Sequence, residues 1–157
     1  MDTGIAASWA SQPEGQLFER KSAWERSGPK VRRRKAAAIA VDVAETLSAM
    51  ANADGGELVV GIEDDGELTG VDQPDDKLAL IKDAARIRCI PPVEYRCEAV
   101  AHTGLLLLHF SVEWSPLVHD LTDGRTLLRV LDQNMPFSQS DVAALKATKT
   151  QGLVERQ

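Results

Sequence analysis

Basic side chains are concentrated in one short segment of an otherwise acidic chain. Residues 19–35 carry a local net charge of +6, whereas the whole chain has a net charge of −6. Lysine and arginine bind nucleic acid by contacting phosphates and releasing the cations condensed on them. A charge run of this kind is also typical of the solvated end of a helix. Both interpretations are open, and the candidates for phosphate contact are Lys21, Lys30, Arg32, Arg33, Arg34 and Lys35.

Four other side chains could contribute to a nucleic-acid interface. Trp24 lies beside the basic segment and could stack on bases, although the few tryptophans could equally be core residues. His119 could orient a phosphate or act as a general acid because histidine titrates near neutrality, and a hydrogen bond to a neighbouring carbonyl is the alternative. Arg125 and Arg129 follow it and are further candidate phosphate contacts.

One long helix is the clearest element that could position these residues. Apolar residues recur at three- and four-residue spacing from a start near Val31. The helix stops at residues 52–56, where asparagine, aspartate and two glycines favour a sharp turn. Residues 58–62 then predict a buried strand, and the turn-forming residues 63–67 lead to a returning strand at residues 68–71.

The other elements follow from apolar alternation, prolines and helix-start signals. They are a first strand at 17–24, a helix from Pro74, strands at 93–100, 105–112 and 126–130, and a helix at 138–145. The strand at 105–112 is nearly all apolar, which predicts a position inside the sheet. This order of elements predicts an α+β fold with a mixed, mostly antiparallel sheet and helices packed on it.

The length of 157 residues is typical of one compact domain. We expect the domain to cover residues 14–150. Residues 1–13 show no periodicity and predict a flexible N-terminal arm. Residues 151–157 are expected to form a C-terminal tail.

Three separated blocks of the chain resemble the Schlafen AlbA_2 family. The first is residues 14–21, with Glu14, Glu19 and Lys21; the second is residues 49–70; the third is residues 116–130. With a final short helix, the resemblance spans residues 14–147. There are two departures: Arg20 stands where the family has an aromatic residue, and Leu131-Asp132 replaces a glycine.

The resemblance implies a DNA- or RNA-binding domain, and we expect a bacterial regulatory or accessory module. Some Schlafen-type relatives are metal-dependent ribonucleases, so an alternative implied by the resemblance is a catalytic Mg²⁺ or Mn²⁺ site with Glu14, Glu19 and Asp64 as ligands. The five-residue spacing of the two glutamates does not by itself bring them together, and we expect no closed metal site. A protein-interaction module is a third alternative.

The sequence also argues against several classes of protein. No apolar run approaches the roughly 20 residues that span a bilayer, and the N-terminus lacks a secretory signal, so we expect a cytoplasmic protein without a membrane partner. Cys89 and Cys97 lack the spacing of a zinc site. The glycines form no phosphate-binding loop, which argues against a nucleotide cofactor. A homodimer remains open.

Overall fold

The computed structural model describes residues 3–156, with side chains from residue 4 to residue 154. The helices are α1 Thr3–Ser11, α2 Ala36–Asn52, α3 Asp75–Lys82, α4 Ala84–Ile87 and α5 Gln139–Arg156. The strands are β1 Phe18–Lys21, β2 Trp24–Glu25, β3 Arg32–Arg33, β4 Gly56–Val60, β5 Cys89–Ile90, β6 Arg96–His102, β7 Leu105–Val112, β8 Asp120–Leu121, β9 Leu127–Val130 and β10 Gln133–Pro136.

A four-stranded sheet in the order β1-β4-β7-β6 forms the centre of the fold. The β1–β4 pair is parallel, and the β4–β7 and β6–β7 pairs are antiparallel. The expectation of an α+β fold with a mixed, mostly antiparallel sheet is therefore confirmed. The predicted interior position of β7 is also confirmed, because β7 lies between β4 and β6.

The two faces of the sheet bury different helices. Leu58 and Val60 of β4 point toward α2 and join the larger apolar core. Val59, between them, points to the opposite face and packs with Ala6 and Trp9 of α1. This alternation is the two-residue period of a strand covered on both sides.

The basic segment does not form the start of α2. Arg32 and Arg33 pair with Glu25 and Trp24 in the antiparallel β2–β3 hairpin. Lys35 has an extended backbone, with φ −61° and ψ 136°, and α2 begins one residue later. The predicted start near Val31 was wrong because the hairpin pairing holds these residues extended.

Two other strand pairings in the structure differ from the prediction. Residues 68–71 return beside the preceding strand region without forming a regular strand. They are joined to it by an isolated bridge between Ile62 and Leu68 and by the Thr69 and Gly70 N–H groups, which donate to the Gly61 carbonyl at 3.0 and 2.8 Å. The strand partners of β4 are β1 and β7. The β9–β10 hairpin was not predicted. Its two-residue turn begins at Leu131, which has a positive φ of 56°.

Both ends of the described chain are helical. The expected loose arm contains α1, because Ala6 and Trp9 are buried against the sheet. The helix expected at 138–145 continues through most of the expected tail as α5, which ends at Arg156. Residues 1, 2 and 157 lie outside the described part. None of the described helices is both long enough and apolar enough to cross a membrane, and the cytoplasmic location stays a prediction.

Candidate nucleic-acid interface

The β2–β3 hairpin carries most of the basic segment away from the core. Its loop, residues 26–31, contains a Ser-Gly-Pro sequence that favours a turn and is exposed throughout. Val31 in this loop is 62% exposed. The hairpin thus presents its loop to solvent rather than to another element.

Several hydrogen bonds hold the base of the hairpin to the domain. The Trp24 indole Nε1–H donates to the Gly70 carbonyl at 3.0 Å. Arg34 donates its backbone N–H to the Ala23 carbonyl at 2.9 Å and its Nη1–H to the Ser22 carbonyl at 2.9 Å. The Ser22 hydroxyl donates to a Glu63 carboxylate oxygen at 2.6 Å. Half-buried Trp24 is therefore placed as an anchor of the hairpin, with its N–H already bonded.

The basic side chains divide into paired and unpaired sets. Arg34 Nη2 lies 2.7 Å from an Asp42 carboxylate oxygen, and Arg33 Nε lies 4.0 Å from Asp72. Among the described side chains, residues 4–154, none forms an ion pair with the exposed Lys30, Arg32 or Lys35. These three residues supply positive charge that the folded domain does not neutralise.

The start of α2 adds to this positive region. Lys35 occupies the N-cap position without a side-chain hydrogen bond, and the first turn contains no acidic residue. Unbonded N–H groups at a helix N-terminus carry partial positive charge. Lys35 thus adds its charge to a helix end of the same sign.

The candidate acids Glu14 and Glu19 come together beside β1. Burial raises the pKa of the Glu19 carboxyl above its ordinary value, and the neighbouring Glu14 raises it further, while Lys21 and Arg129 act in the opposite direction. Glu19 Oε1 lies 2.8 Å from Arg129 Nη2, and Glu19 Oε2 lies 3.5 Å from Lys21 Nζ. Glu14 Oε2 accepts the backbone N–H of Arg20 at 2.9 Å.

The third candidate acid does not complete a metal site. Asp64 is exposed, and the contact that it makes toward β1 is through its carbonyl oxygen, 3.5 Å from Arg20 Nη2. In the part of the chain that is described, no three His, Cys, Asp or Glu side chains are grouped so as to hold a metal ion. Both Glu19 oxygens already face cations. As arranged, Glu14, Glu19 and Asp64 do not fit a Mg²⁺ or Mn²⁺ centre.

Arg129 was predicted as a nucleic-acid contact, but the structure buries it. Its side chain is only 1% exposed. Besides Glu19, it donates to the carbonyls of Gly15 at 2.8 Å and Phe18 at 3.2 Å, and to Asn134 Oδ1 at 3.0 Å. Arg129 therefore joins β9 to β1 inside the domain and offers no surface to a phosphate.

His119 is likewise buried rather than presented to a ligand. Its Nδ1 lies 2.7 Å from the Pro91 carbonyl, so this nitrogen carries the proton, and its Nε2 lies 2.7 Å from the Ser115 hydroxyl. Burial lowers the pKa of His119 from its ordinary value of 6.5. The carbonyl-bonded alternative is the arrangement found, and an acid or phosphate-binding role is not supported.

The last two candidates are partly neutralised. Arg125 is 45% exposed, and its guanidinium lies 2.6 Å from Glu45 and 2.9 Å from Asp123. Lys21 is partly exposed and faces Glu19. Both could approach a ligand only as members of existing ion pairs.

One important residue was not singled out from the sequence. Asn52, the last residue of α2, donates from Nδ2 to the carbonyls of His119 at 2.9 Å and Leu127 at 2.8 Å. Its Oδ1 accepts the His119 backbone N–H at 2.8 Å. Asn52 therefore joins the end of α2 to the residue before β8 and to the first residue of β9. An asparagine at a helix stop gave no sequence signal for this second role.

Comparison with known proteins identifies the type of domain. Residues 14–138 match the family described as Schlafen, AlbA_2. The structure is similar to the DIP2311 protein from Corynebacterium diphtheriae, with a TM-score of 0.66, 23% sequence identity and coverage of 92% of this chain and 28% of that protein. At this identity the likeness shows the fold alone, and the chain spans little more than a quarter of that protein.

A second solved structure is the N-terminal domain of an ATP-dependent DNA helicase RecG-related protein from Nitrosomonas europaea. It matches with a TM-score of 0.49 and 21% identity, covering 73% of this chain and 74% of that one. No curated protein sequence matches the chain.

Proposed function

The chain belongs to the Schlafen AlbA_2 family, and we propose that it binds nucleic acid through phosphate contacts from the β2–β3 hairpin. The observation that carries this proposal is the set of three exposed, unpaired basic residues, Lys30, Arg32 and Lys35, beside the uncapped start of α2. A phosphate contact releases counterions from the nucleic acid, and it is most favourable for a cation that is accessible and has no internal ion pair to break. These residues satisfy both conditions.

The charge distribution favours this face over the rest of the surface. Residues 19–35 have a net charge of +6, and the remainder of the chain has a net charge of −12. Such polarity orients a phosphate polymer toward the hairpin and repels it elsewhere. Binding is therefore expected at one face, without general coating of the protein.

The test is a fluorescence anisotropy titration with a labelled duplex of about 20 base pairs at about 50 mM salt. We expect the wild-type chain to bind, and the Lys30→Ala/Arg32→Ala/Lys35→Ala variant to bind at least about tenfold more weakly. Each lost phosphate contact removes the release of about one counterion. Circular dichroism of the variant should be unchanged because all three side chains are exposed.

A matched control removes the same charge from other elements. Lys77, Arg86 and Lys146 are exposed on α3, α4 and α5, and their triple replacement by alanine should weaken binding far less. Equal weakening by both triple variants would show that only net charge matters. No binding by the wild-type chain to any nucleic acid would refute the proposal.

We do not extend the proposal to metal-dependent cleavage of RNA. The carboxylate oxygens of Glu19 face Arg129 and Lys21, and Asp64 is not grouped with Glu14 and Glu19. The chemistry that a divalent ion would supply is the activation of a water molecule. The acids as arranged hold the fold together instead.

As a second candidate, we propose that β6 pairs with β6 of another copy of the chain. The outer edge of β6 is not paired by any described strand, and Arg96–His102 contains neither proline nor lysine. In an antiparallel pair centred on Cys97, Arg96 of each copy would lie opposite Glu98 of the other. Opposite charges at directly facing positions stabilise a strand pair.

Sedimentation equilibrium tests this pairing through a charge swap. The Glu98→Arg variant should dissociate, because Arg96 would then face a second arginine. The Arg96→Glu/Glu98→Arg variant should restore the dimer. A monomeric wild-type chain, or a dimer that persists in Glu98→Arg, would contradict the proposal.

A further inference from the structure

We infer that the β2–β3 hairpin binds double-stranded rather than single-stranded nucleic acid. This inference rests on the proposed nucleic-acid binding and adds the class of ligand. It depends on the position of every aromatic side chain relative to the basic hairpin.

None of the aromatic side chains is exposed. The chain has seven aromatic residues, and all of them lie within the described part: Trp9, Phe18, Trp24, Tyr95, Phe110, Trp114 and Phe137. Trp9, Phe18 and Phe110 are buried, and the other four are partly buried. A base that approached the domain would therefore meet no freely accessible aromatic ring.

The two partly buried tryptophans, Trp24 and Trp114, already have partners. Trp24 packs on the core and donates its indole N–H to Gly70. Trp114 lies under the Lys149 ammonium, with Nζ 4.9 Å from the ring centroid. The hairpin loop itself contains no aromatic residue, and its exposed apolar side chain is Val31.

Single-strand binding depends on stacking of bases on aromatic rings, whereas phosphate binding does not. Without stacking, affinity comes from charge alone, and the duplex has the higher charge density. A contact releases about 0.9 counterion from a duplex but about 0.7 from a single strand. The hairpin has exposed basic side chains but no exposed aromatic side chain, and it should therefore bind the duplex more tightly.

The experiment compares four ligands of one sequence by anisotropy at a fixed ionic strength. They are a 20-base-pair DNA duplex, the RNA duplex, and one single strand of each. We expect at least one duplex to bind about tenfold more tightly than its own single strand. Tight binding of only the DNA or only the RNA duplex also supports the inference and identifies the source of the phosphates.

A gain-of-function variant tests the physical cause. Val31→Trp adds a ring at a position that is 62% exposed, so the fold should tolerate it. We expect single-strand affinity to rise by about fivefold to a hundredfold, from the stacking contribution of one base, with little change for the duplex. The control Val31→Leu adds apolar surface without a ring and should leave both affinities unchanged.

The outcomes separate this inference from the proposed function. Single strands that bind wild type as tightly as duplexes would overturn the preference while leaving nucleic-acid binding intact. If Val31→Trp does not raise the affinity for single strands, the lack of an accessible aromatic ring is not the cause of the duplex preference, and the inference is overturned. Failure of all four ligands to bind would instead refute the proposed function.

Discussion

Two charged regions lie next to each other in sequence but use their charges in opposite ways. Around β1, the Glu19 carboxylate and the Arg129 guanidinium are buried and bonded to each other at 2.8 Å. In the β2–β3 hairpin and at the start of α2, Lys30, Arg32 and Lys35 are exposed and have no ion pair with the described side chains. Residue type alone therefore does not identify a binding site, because one arginine stabilises the fold from inside while another is exposed and can contact a ligand.

The Glu19–Arg129 pair cannot both stabilise the fold and bind a phosphate, because breaking it costs free energy. A buried ion pair is tolerated only when nearly all of its hydrogen-bonding groups have partners. Arg129 meets this condition through Gly15, Phe18 and Asn134, and Asn134 in turn donates to the Thr46 hydroxyl at 3.1 Å. If Arg129 moved out to contact a phosphate, the buried Glu19 would keep only Lys21, 3.5 Å away, as its cation. Lys30, Arg32 and Lys35 have no internal ion pair, so they would break none by contacting a phosphate.

The largest expected effect on stability is at Arg129. Arg129→Met should lower the free energy of unfolding by about 3 to 5 kcal/mol, because it removes one member of a buried ion pair and leaves Glu19 with only the more distant Lys21 as its cation. Urea denaturation measures the change. Arg125→Ala, which breaks partly exposed ion pairs, should cost less than about 1 kcal/mol.

A second substitution separates the charge effect from the packing effect. Adding Glu19→Gln to Arg129→Met removes the stranded charge and should recover part of the lost stability. If Arg129→Met lowers the free energy of unfolding by less than about 1 kcal/mol, the Glu19–Arg129 ion pair does not stabilise the fold as a buried pair should.

The next effect is a pH dependence from His119. Its pKa is lowered in the folded domain, mainly by burial. The unfolded chain therefore takes up the proton first, so the stability that neutral His119 contributes is complete above about pH 6.5 and is lost as the pH falls. The loss is at most about 1.4 kcal/mol per pH unit.

Urea denaturation at pH 7.5 and pH 5.5 checks this sign. The His119→Gln variant should be less stable at pH 7.5, and the difference from wild type should shrink toward pH 5.5. A difference that grows as the pH falls would mean that the folded domain favours the protonated imidazole.

The smallest effect is at the β9–β10 turn beside the Arg129 cluster. Leu131 has a φ of 56°, a conformation that costs a leucine about 1 to 2 kcal/mol and that asparagine tolerates better. Leu131→Asn should therefore raise the melting temperature by about 2 °C, as expected for a gain of about 0.5 to 1 kcal/mol. Asp132→Asn, at the adjacent turn position without a positive φ, is the control. An unchanged or lower melting temperature in Leu131→Asn would show that the positive φ of Leu131 does not destabilise the fold.

Local patterns were sufficient for much of the fold. The apolar stripe and the glycine-rich stop located α2, and apolar alternation located the β6–β7 hairpin. Both patterns depend only on residues that are close together in the sequence. The family resemblance was confirmed over residues 14–138. The short β2–β3 pairing was missed because its strands contain two residues each, too few for a period.

The fate of individual charges could not be read from the sequence. Arg129 looks like a surface residue, and its partner Gly15 lies 114 positions earlier in the chain. Arg20, which replaces an aromatic residue, donates to the carbonyl of Trp9 at 3.1 Å and so joins β1 to α1. Such pairings depend on distant backbone positions that no local spacing records.

The salt dependence of binding measures how many phosphates the exposed basic residues contact. For a DNA duplex, the slope of log K against log salt should be shallower by about 2.7 in Lys30→Ala/Arg32→Ala/Lys35→Ala than in wild type, at about 0.9 per lost phosphate contact. The control triple at Lys77, Arg86 and Lys146 should keep the wild-type slope. Equal slopes for the wild-type chain and the hairpin variant would contradict the claim that the unpaired hairpin cations contact phosphates.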